Sequence, residues 1–327
     1  MSKFLSIIIP RYKESEKDIF PLLSSINNQL TVDFSDIEVL ICSDGGGPGE
    51  LDRDFLKIFN NLEIRQINLE ENRGPGIARQ TGIDNARGQY LMFCDADDII
   101  HNVGVIGALI QEAMKNVPDI IATTWLEEVV DLNGKYGYVT HKEDATWMHG
   151  KMLRKQFLVQ NNIVHHPSLR VHEDSYILAL AYSFTNRATY MDFVSYVWKF
   201  QPDSITRRNN AIYTYNSIPT FIFACCEAHK LIEKKNPELM EYRILQFSLY
   251  MYFSLHQPGW LSPEHKKYLD DAEETFSECM KPFWNYWTNA SFEKRSEVYN
   301  QERNRNFNGL MENETVDEWV KRIGLES

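Results

Sequence analysis

The chain is 327 residues long, 43% hydrophobic and 24% charged, an ordinary globular composition with room for one large domain and an appendage or two smaller domains. With 34 basic against 46 acidic residues its formal charge is −12, which argues against a large nonspecific hold on nucleic acid or an anionic membrane. No apolar run approaches a membrane span, the run before Pro10 is too short for a secretory signal, and the five cysteines (Cys42, Cys94, Cys225, Cys226, Cys279) show no disulfide or zinc spacing; the expectation is a protein without a transmembrane anchor, its thiols reduced, in the cytoplasm.

Residues 4–9 form an apolar, β-branched run closed by Pro10, which reads as a central parallel strand. Ile19, Leu22, Leu23 and Ile26 give residues 18–29 a helical spacing. A second strand over 37–42 is broken by Ser43-Asp44-Gly45-Gly46-Gly47-Pro48-Gly49, and 51–59 reads as a helix before a third strand at 62–67. A polar, glycine-bearing loop at 71–76 feeds a helix at about 77–86, and a short apolar strand at 91–94 ends in Asp95, Asp97 and Asp98. A helix is expected at 103–115, then strands at 120–130 and 137–141 joined as a hairpin through Asn133-Gly134. Helices at 151–159 and 173–183 and an aromatic strand at 188–199 follow, and from about residue 211 the apolar spacing is helical over 213–234, 239–255, 263–286, 292–304 and 316–323. Strands alternating with helices predict an α/β fold with a doubly wound, mostly parallel sheet, and a helical carboxy-terminal part beginning near Asn209.

In such a sheet, ligands sit outside the carboxyl ends of the strands, so Asp95, Asp97 and Asp98 stand where a hard cation and a phosphate would bind; the plain alternative is a solvated acidic turn capping the next helix. Asp98 is the one of the three best suited to that capping role. Asp44 suits a hydrogen bond to a nucleobase, or an ordinary Asp-Gly turn. Arg73 and Arg79 are forked donors for a base or phosphate, or, for Arg79 on its helix, for a neighbouring acid. His149 and Lys151 flank a glycine and suit a phosphate or acceptor contact; a lone histidine is more often structural, so His149 is not counted as a metal ligand.

Several segments in order resemble family 2 glycosyltransferases of the GT-A fold, bacterial and phage members included, over roughly residues 4–208. They are Ser6-Ile7-Ile8-Ile9-Pro10-Arg11-Tyr12, Cys42-Ser43-Asp44-Gly45-Gly46, Asn72-Arg73-Gly74 with Ala78-Arg79-Gln80-Thr81-Gly82, and Asp95-Ala96-Asp97. Trp147-Met148-His149-Gly150-Lys151, His172-Glu173-Asp174, and Pro202-Asp203-Ser204-Ile205-Thr206-Arg207 continue the series. Ser43 stands in place of the first acid of the family's pair, Lys13 in place of the usual Asn, and Gln80 in place of Asn. The resemblance implies a GT-A glycosyltransferase domain at 1–208, its nucleotide-sugar half at about 1–100 and its acceptor half at about 101–208, and a helical region at 209–327. It implies a metal-dependent, inverting transfer of a hexosyl or N-acetylhexosaminyl group from a UDP-sugar to a hydroxyl acceptor. The metal, Mn²⁺ or Mg²⁺, would be held by Asp95 and Asp97. Pro10, Tyr12, Glu14, Asp44, Arg73, Arg79, Asp95, Ala96, Lys151, Lys199, Ser204 and Arg207 would bind the donor, the last three from a loop that is either a lid over the diphosphate or a plain charged loop. Asp174, with Glu173 beside it, would be the catalytic base. The acceptor is open among a glycan, a teichoic-type polymer, a protein and a modified DNA base, and the helical region is the candidate surface for self-association.

Two rivals are weighed. A non-catalytic nucleotide-sugar or glycan binding module would not need both the metal acids and the base acid. A sugar-phosphate nucleotidyltransferase would need a glycine-rich, Arg- and Lys-bearing segment near residue 10, and the sequence there is different.

Overall fold

In the computed structural model, which describes residues 3–47, 49–131, 133–202, 204, 212–307, 309–310 and 313–326, the chain divides into two units, Met1–Gln201 and Pro202–Ser327. Strand β1 (Lys3–Arg11) is the centre of the first unit's parallel group. It pairs with β2 (Ile37–Ser43) on one side and β4 (Gly88–Phe93) on the other, and β3 (Ile64–Asn68) extends the group beyond β2. Ile7, Ile8 and Ile9 are all fully buried, so β1 is covered on both faces and its sequence is apolar throughout rather than alternating. Helices α1 (Glu16–Asn27), α2 (Arg53–Leu56) and α3 (Pro75–Asn85) make the crossovers. The helix expected at 51–59 is only the four residues of α2, started by the Asp52 side chain accepting from the Asp54 and Phe55 amides. The strand order reverses between β1 and β4, which opens a crevice at their carboxyl ends.

The second half of this unit is mixed. After β5 (Ile99–Ile100) and α4 (Val105–Asn116) come β6 (Ile120–Val130), β7 (Tyr136–His141), β8 (Lys151–Arg154), α5 (Lys155–Gln160), α6 (Glu173–Ser183) and β9 (Ala188–Trp198). Strand β8 lies antiparallel between β4 and β6, and β9 runs parallel to β6 and receives β5 on its far edge. The helix expected at 151–159 is therefore a strand and a short helix. Met152 and Leu153 are fully buried in the slot between β4 and β6, where a strand completes the ladder and a helix would not fit. The hairpin of β6 and β7 forms as expected. Its loop is closed by the Asp131 carboxylate, which accepts from the Asn133 and Lys135 amides.

The second unit is helical: α7 (Ile212–Lys235), α8 (Met240–Leu255), α9 (Lys266–Met280), α10 (Trp284–Asn289), α11 (Phe292–Asn306) and α12 (Val316–Arg322). The single helix expected at 263–286 breaks at a 3-10 turn, Lys281–Phe283, because Pro282 cannot donate to the preceding turn. Helix α12 is held by the Trp319 indole and the Arg322 guanidinium, both donating to Glu273. Among the described residues no helix is long and apolar enough to cross a membrane, and the cysteines are free thiols.

Candidate active site

At the carboxyl end of β1 the chain turns under control of Arg11, which is buried. Its Nε donates to the Glu14 carbonyl and its Nη1 to Gly49 O and Ser43 Oγ, so one guanidinium ties the loop after β1 to the loop after β2. The Glu14 carboxylate accepts from the Tyr12 and Lys13 amides and shapes the same turn. Asp44 follows β2 and is buried. Its two oxygens accept from the Arg73 amide at 2.6 Å and the Gly74 amide at 2.8 Å, so it fixes the entry to α3, while the Arg73 side chain is exposed. A Cβ on Gly47 would stand 1.9 Å from the Tyr12 carbonyl oxygen; glycine is needed there to bring two protein loops together.

The acidic turn follows β4. Asp95 accepts from Arg79 Nη2 at 2.7 Å, and its amide donates to the Tyr196 hydroxyl. Burial opposes its ionisation, but the charge of Arg79 and the Arg79 hydrogen bond hold it below the usual carboxylate range. Asp98 is fully buried and both its oxygens are engaged, one by Tyr196 Oη at 2.6 Å and one by the Lys199 amide at 2.8 Å. It is not the helix cap that its position suggested: α4 begins seven residues later, with Gly104 at its N-cap. Asp97 takes no hydrogen bond from another described residue. Burial first, then the charges of Asp95 and Glu14, raise its carboxyl to about 6.

Across the crevice, α6 presents Glu173 and Asp174 in its first turn. Arg79, buried on α3, donates its other terminal nitrogen to Glu173 Oε1 at 2.5 Å. One guanidinium thus bridges the acidic turn and the acid pair of α6. With Glu173 engaged in this way, Asp174 is the half-buried member, and only the adjacent Ser175 amide donates to it. Burial, and next the charge of Glu173, lift the Asp174 carboxyl to about 7. A carboxylate poised there suits a general base at neutral pH.

The third wall is the loop leading into β8. Lys151, expected to reach a phosphate or acceptor, is buried instead. Its ammonium is spent on Asp144 (3.1 Å), the Trp147 carbonyl (2.6 Å) and the His149 carbonyl (3.4 Å), and burial lowers its pKa. Gly150, at φ +63°, has no room for a side chain beside Thr123 Oγ1. The His149 ring that this loop delivers stacks on Tyr196, with centroids 5.0 Å apart, and burial lowers its pKa to about 4. It is therefore a neutral imidazole at pH 7. Ligand atoms of Asp95, Asp98 and His149 lie within 4.8 Å of one another. The carboxylate oxygens there suit Mn²⁺ or Mg²⁺, while the imidazole suits a softer ion; Asp97 is not among these close atoms.

The family model "Glycosyl transferase family 2" matches residues 6–171, about half of the chain. This chain belongs to that family. The "uncharacterized glycosyltransferase EpsJ" of Bacillus subtilis is 27% identical over 231 residues, 63% of this chain and 64% of its own length. The poly(ribitol-phosphate) beta-N-acetylglucosaminyltransferase TarS of Staphylococcus aureus is 30% identical over 216 residues, 61% of this chain but only 35% of its own length. The match to these relatives thus spans less than two thirds of either. The crystal structure of S. aureus TarS 1–349 in complex with UDP-GlcNAc superposes with a TM-score of 0.66 at 20% identity, covering 92% of this chain and 90% of that one, a match that establishes the GT-A-type fold.

Within this family member, the elements place most of the expected residues on the loops after β1, β2 and β4 and on α6. Pro10 and Tyr12 end β1 and enter its loop, and Ala96 is buried in the acidic turn. Lys199 reaches the turn through its backbone amide. Ser204 belongs to the second unit, and Arg207, like Thr206 and Arg208, lies outside the described residues. Sequence reasoning missed the loop-tying role of Arg11 and undervalued His149. An arginine directly after Pro10 at a strand's end was the available signal for the first; nothing local marks the second.

The Arg79 bridge carries a stability prediction. Arg79→Met leaves the buried Glu173 uncompensated and strips the one-third exposed Asp95 of its partner; breaking a buried pair typically costs about 3–5 kcal/mol. Urea unfolding monitored by circular dichroism should show a loss of that size. A loss below about 1 kcal/mol, the range of surface ion pairs, would mean that the bridge contributes little.

Proposed function

We propose that this family 2 member is a metal-dependent, inverting glycosyltransferase that moves a sugar from a UDP-sugar to a hydroxyl acceptor. The observation that carries this reading is the crevice itself. The buried Arg79 neutralises Asp95 and Glu173, and Asp98 is held by Tyr196 and the Lys199 amide, which leaves Asp97 for the donor side and Asp174 for the acceptor side as the crevice acids with neither an arginine partner nor both oxygens engaged. The UDP-GlcNAc bound by the structurally similar TarS supports a UDP-sugar as donor.

Asp95 and Asp97 are the residues that would hold Mn²⁺ or Mg²⁺; Asp98 and His149 lie close to Asp95. Bound there, the cation supplies charge neutralisation for the departing diphosphate. Asp174 takes the proton from the acceptor hydroxyl as its oxygen attacks the anomeric carbon from the face opposite UDP, which inverts that carbon. Glu173, fixed by Arg79, orients the first turn of α6 and keeps negative charge next to Asp174, which maintains the raised basicity of that carboxylate. Asp44, tied to the Arg73 and Gly74 amides, presents a rigid carboxylate edge at the end of β2 for the uracil N3–H.

The test is a thermal-shift series with Mn²⁺ and UDP, GDP or ADP at equal concentration, followed by a UDP-sugar hydrolysis screen. UDP should protect most, since at equal concentration the stabilisation, RT ln(1 + [L]/Kd), is largest for the ligand with the smallest Kd. Equal protection by all three nucleotides would discard the uracil assignment, and absence of hydrolysis of every UDP-sugar would discard the donor.

A further inference from the structure

Residues 161–172 join α5 to α6 through a series of turns, and three contacts tie them to α3 and its entry. The His165 amide donates to Gln80 Oε1, on α3, at 2.9 Å. At the first turn of α3 a Cβ on Gly76 would lie 3.4 Å from His165 Nδ1 and 3.0 Å from Glu173 Cγ, so α3 and the start of α6 approach there as closely as a glycine allows. At the exposed end, the Arg170 guanidinium takes Asn72 in a fork. Its Nη1 donates to Asn72 Oδ1 at 3.0 Å and its Nη2 to Asn72 O at 3.1 Å.

An exposed arginine holding an asparagine is by itself an ordinary contact, but both ends of this one lead to the site. Asn72 precedes Arg73 and Gly74, the two residues whose amides Asp44 holds. Gly74 stands at φ +93°, and a Cβ there would crowd Arg170 Cγ at 3.2 Å and Arg170 Cα at 3.4 Å. The two loops therefore meet nearly main chain to main chain, and the planar fork gives the contact a direction. On the other side, Arg170 stands two residues before His172, the N-cap of α6 at φ +59°, and four before Asp174. A non-glycine residue keeps that left-handed conformation only where its surroundings over-determine it. The buried Leu169 and the Arg170 fork are fixed points just ahead of it, and Glu173 is fixed just after it by Arg79. The first turn of α6 is thus held twice, once by a buried ion pair and once through the loop beside Asp44.

We propose that Arg170 is a positioning residue: it latches the turn that carries Asp174 to the loop that Asp44 holds, so that a uridine diphosphate seated against Asp44 steadies the base across the crevice. This rests on the glycosyl-transfer reading and adds to it a coupling between the donor and acceptor halves of the site.

Hydrogen exchange followed by mass spectrometry, on the full chain with Mn²⁺ alone and with Mn²⁺ and UDP, tests the latch without needing the acceptor. In the unaltered protein UDP should slow exchange over 72–78 and, through Arg170, over 161–176. Arg170→Met keeps an unbranched stem over Gly74 but has no donors for Asn72, so it should retain the protection at 72–78 and lose it at 161–176. Hydrolysis of the UDP-sugar that the unaltered protein cleaves fastest should fall about 10–10²-fold in kcat, the cost of a small misplacement at a reacting centre, with KM for that donor unchanged. The acid limb of its pH profile should stay at about 7, since burial and Glu173, which lift Asp174, are untouched. Adding Asn72→Ala to Arg170→Met should cost nothing further, because both act on one contact. The guanidinium is exposed, so the melting temperature should hold. No UDP protection over 161–176 in the unaltered protein, equal protection there in the variant, an unchanged kcat, or additive losses in the double variant would each overturn the latch. Protection at 72–78 in the unaltered protein reports separately on nucleotide binding: if it is present while these tests fail, only the latch falls, and if it is absent the UDP-sugar reading falls with it.

Discussion

Asp174→Asn is expected to lower transfer by about 10²–10⁴-fold, the usual contribution of a general base, while UDP affinity holds. The amide retains the side-chain oxygen that accepts from the Ser175 amide but cannot take up the acceptor's proton. A pH profile gives the same residue a second signature. The unaltered carboxyl, lifted to about 7 by burial and by Glu173, must be ionised to work. Activity is therefore present above that pH and lost as pH falls through it, by about tenfold per unit once protonation dominates. In the variant this acid limb should vanish along with most of the rate. Full transfer by Asp174→Asn, or a wild-type profile flat between about pH 6 and 8, would move the base to another group.

Asp97→Asn should separate stability from function. Its carboxylate is raised to about 6 because burial and the charges of Asp95 and Glu14 oppose its ionisation, so above that pH the folded protein carries a strained negative charge. Neutralising it removes that repulsion, and the melting temperature without metal should rise. Turnover should fall at least about 10²-fold, since even outer-shell metal partners cost up to that much. Calorimetry of UDP binding with Mn²⁺ and with EDTA provides the check. Equal UDP affinity in the two conditions for the unaltered protein, or unchanged turnover in the variant, would remove Asp97 from the donor site. A gain in stability paired with a loss of activity is the pattern of a residue kept for function.

Strands β1, β2 and β4 of the parallel half were readable in the chain because each is an apolar run covered on both faces, whereas β3 at the edge is only half-buried. Strand β8 was not readable. Four residues wedged between β4 and β6 derive their conformation from neighbours distant in sequence, and the apolar residues continuing through Phe157 and Leu158 imitate a helical period. Pro282 was visible, yet the apolar spacing ran through it. The acids of the site were legible as types in a pattern, but their division of labour was not. Asp97 and Asp98 are neighbours in the chain and opposites in environment, one without a hydrogen bond from another described residue, the other fully engaged by Tyr196 and the Lys199 amide. The burial of Lys151 depends on Asp144 and on the Trp147 and His149 carbonyls, a geometry no spacing rule encodes.

The Arg79 bridge has a bearing on how such a sequence can drift. A lone substitution at 79 strands the buried Glu173 and the half-buried Asp95 at once, and a lone loss of Asp95 or Glu173 leaves half of a buried guanidinium without its partner. The three positions lie 16 and 78 residues apart along the chain, on three different elements, yet no single-residue path leads away from the trio without a destabilised intermediate. Among descendants of this chain they should therefore be inherited or replaced together, and a natural variant lacking the arginine should lack charge at both of the other two.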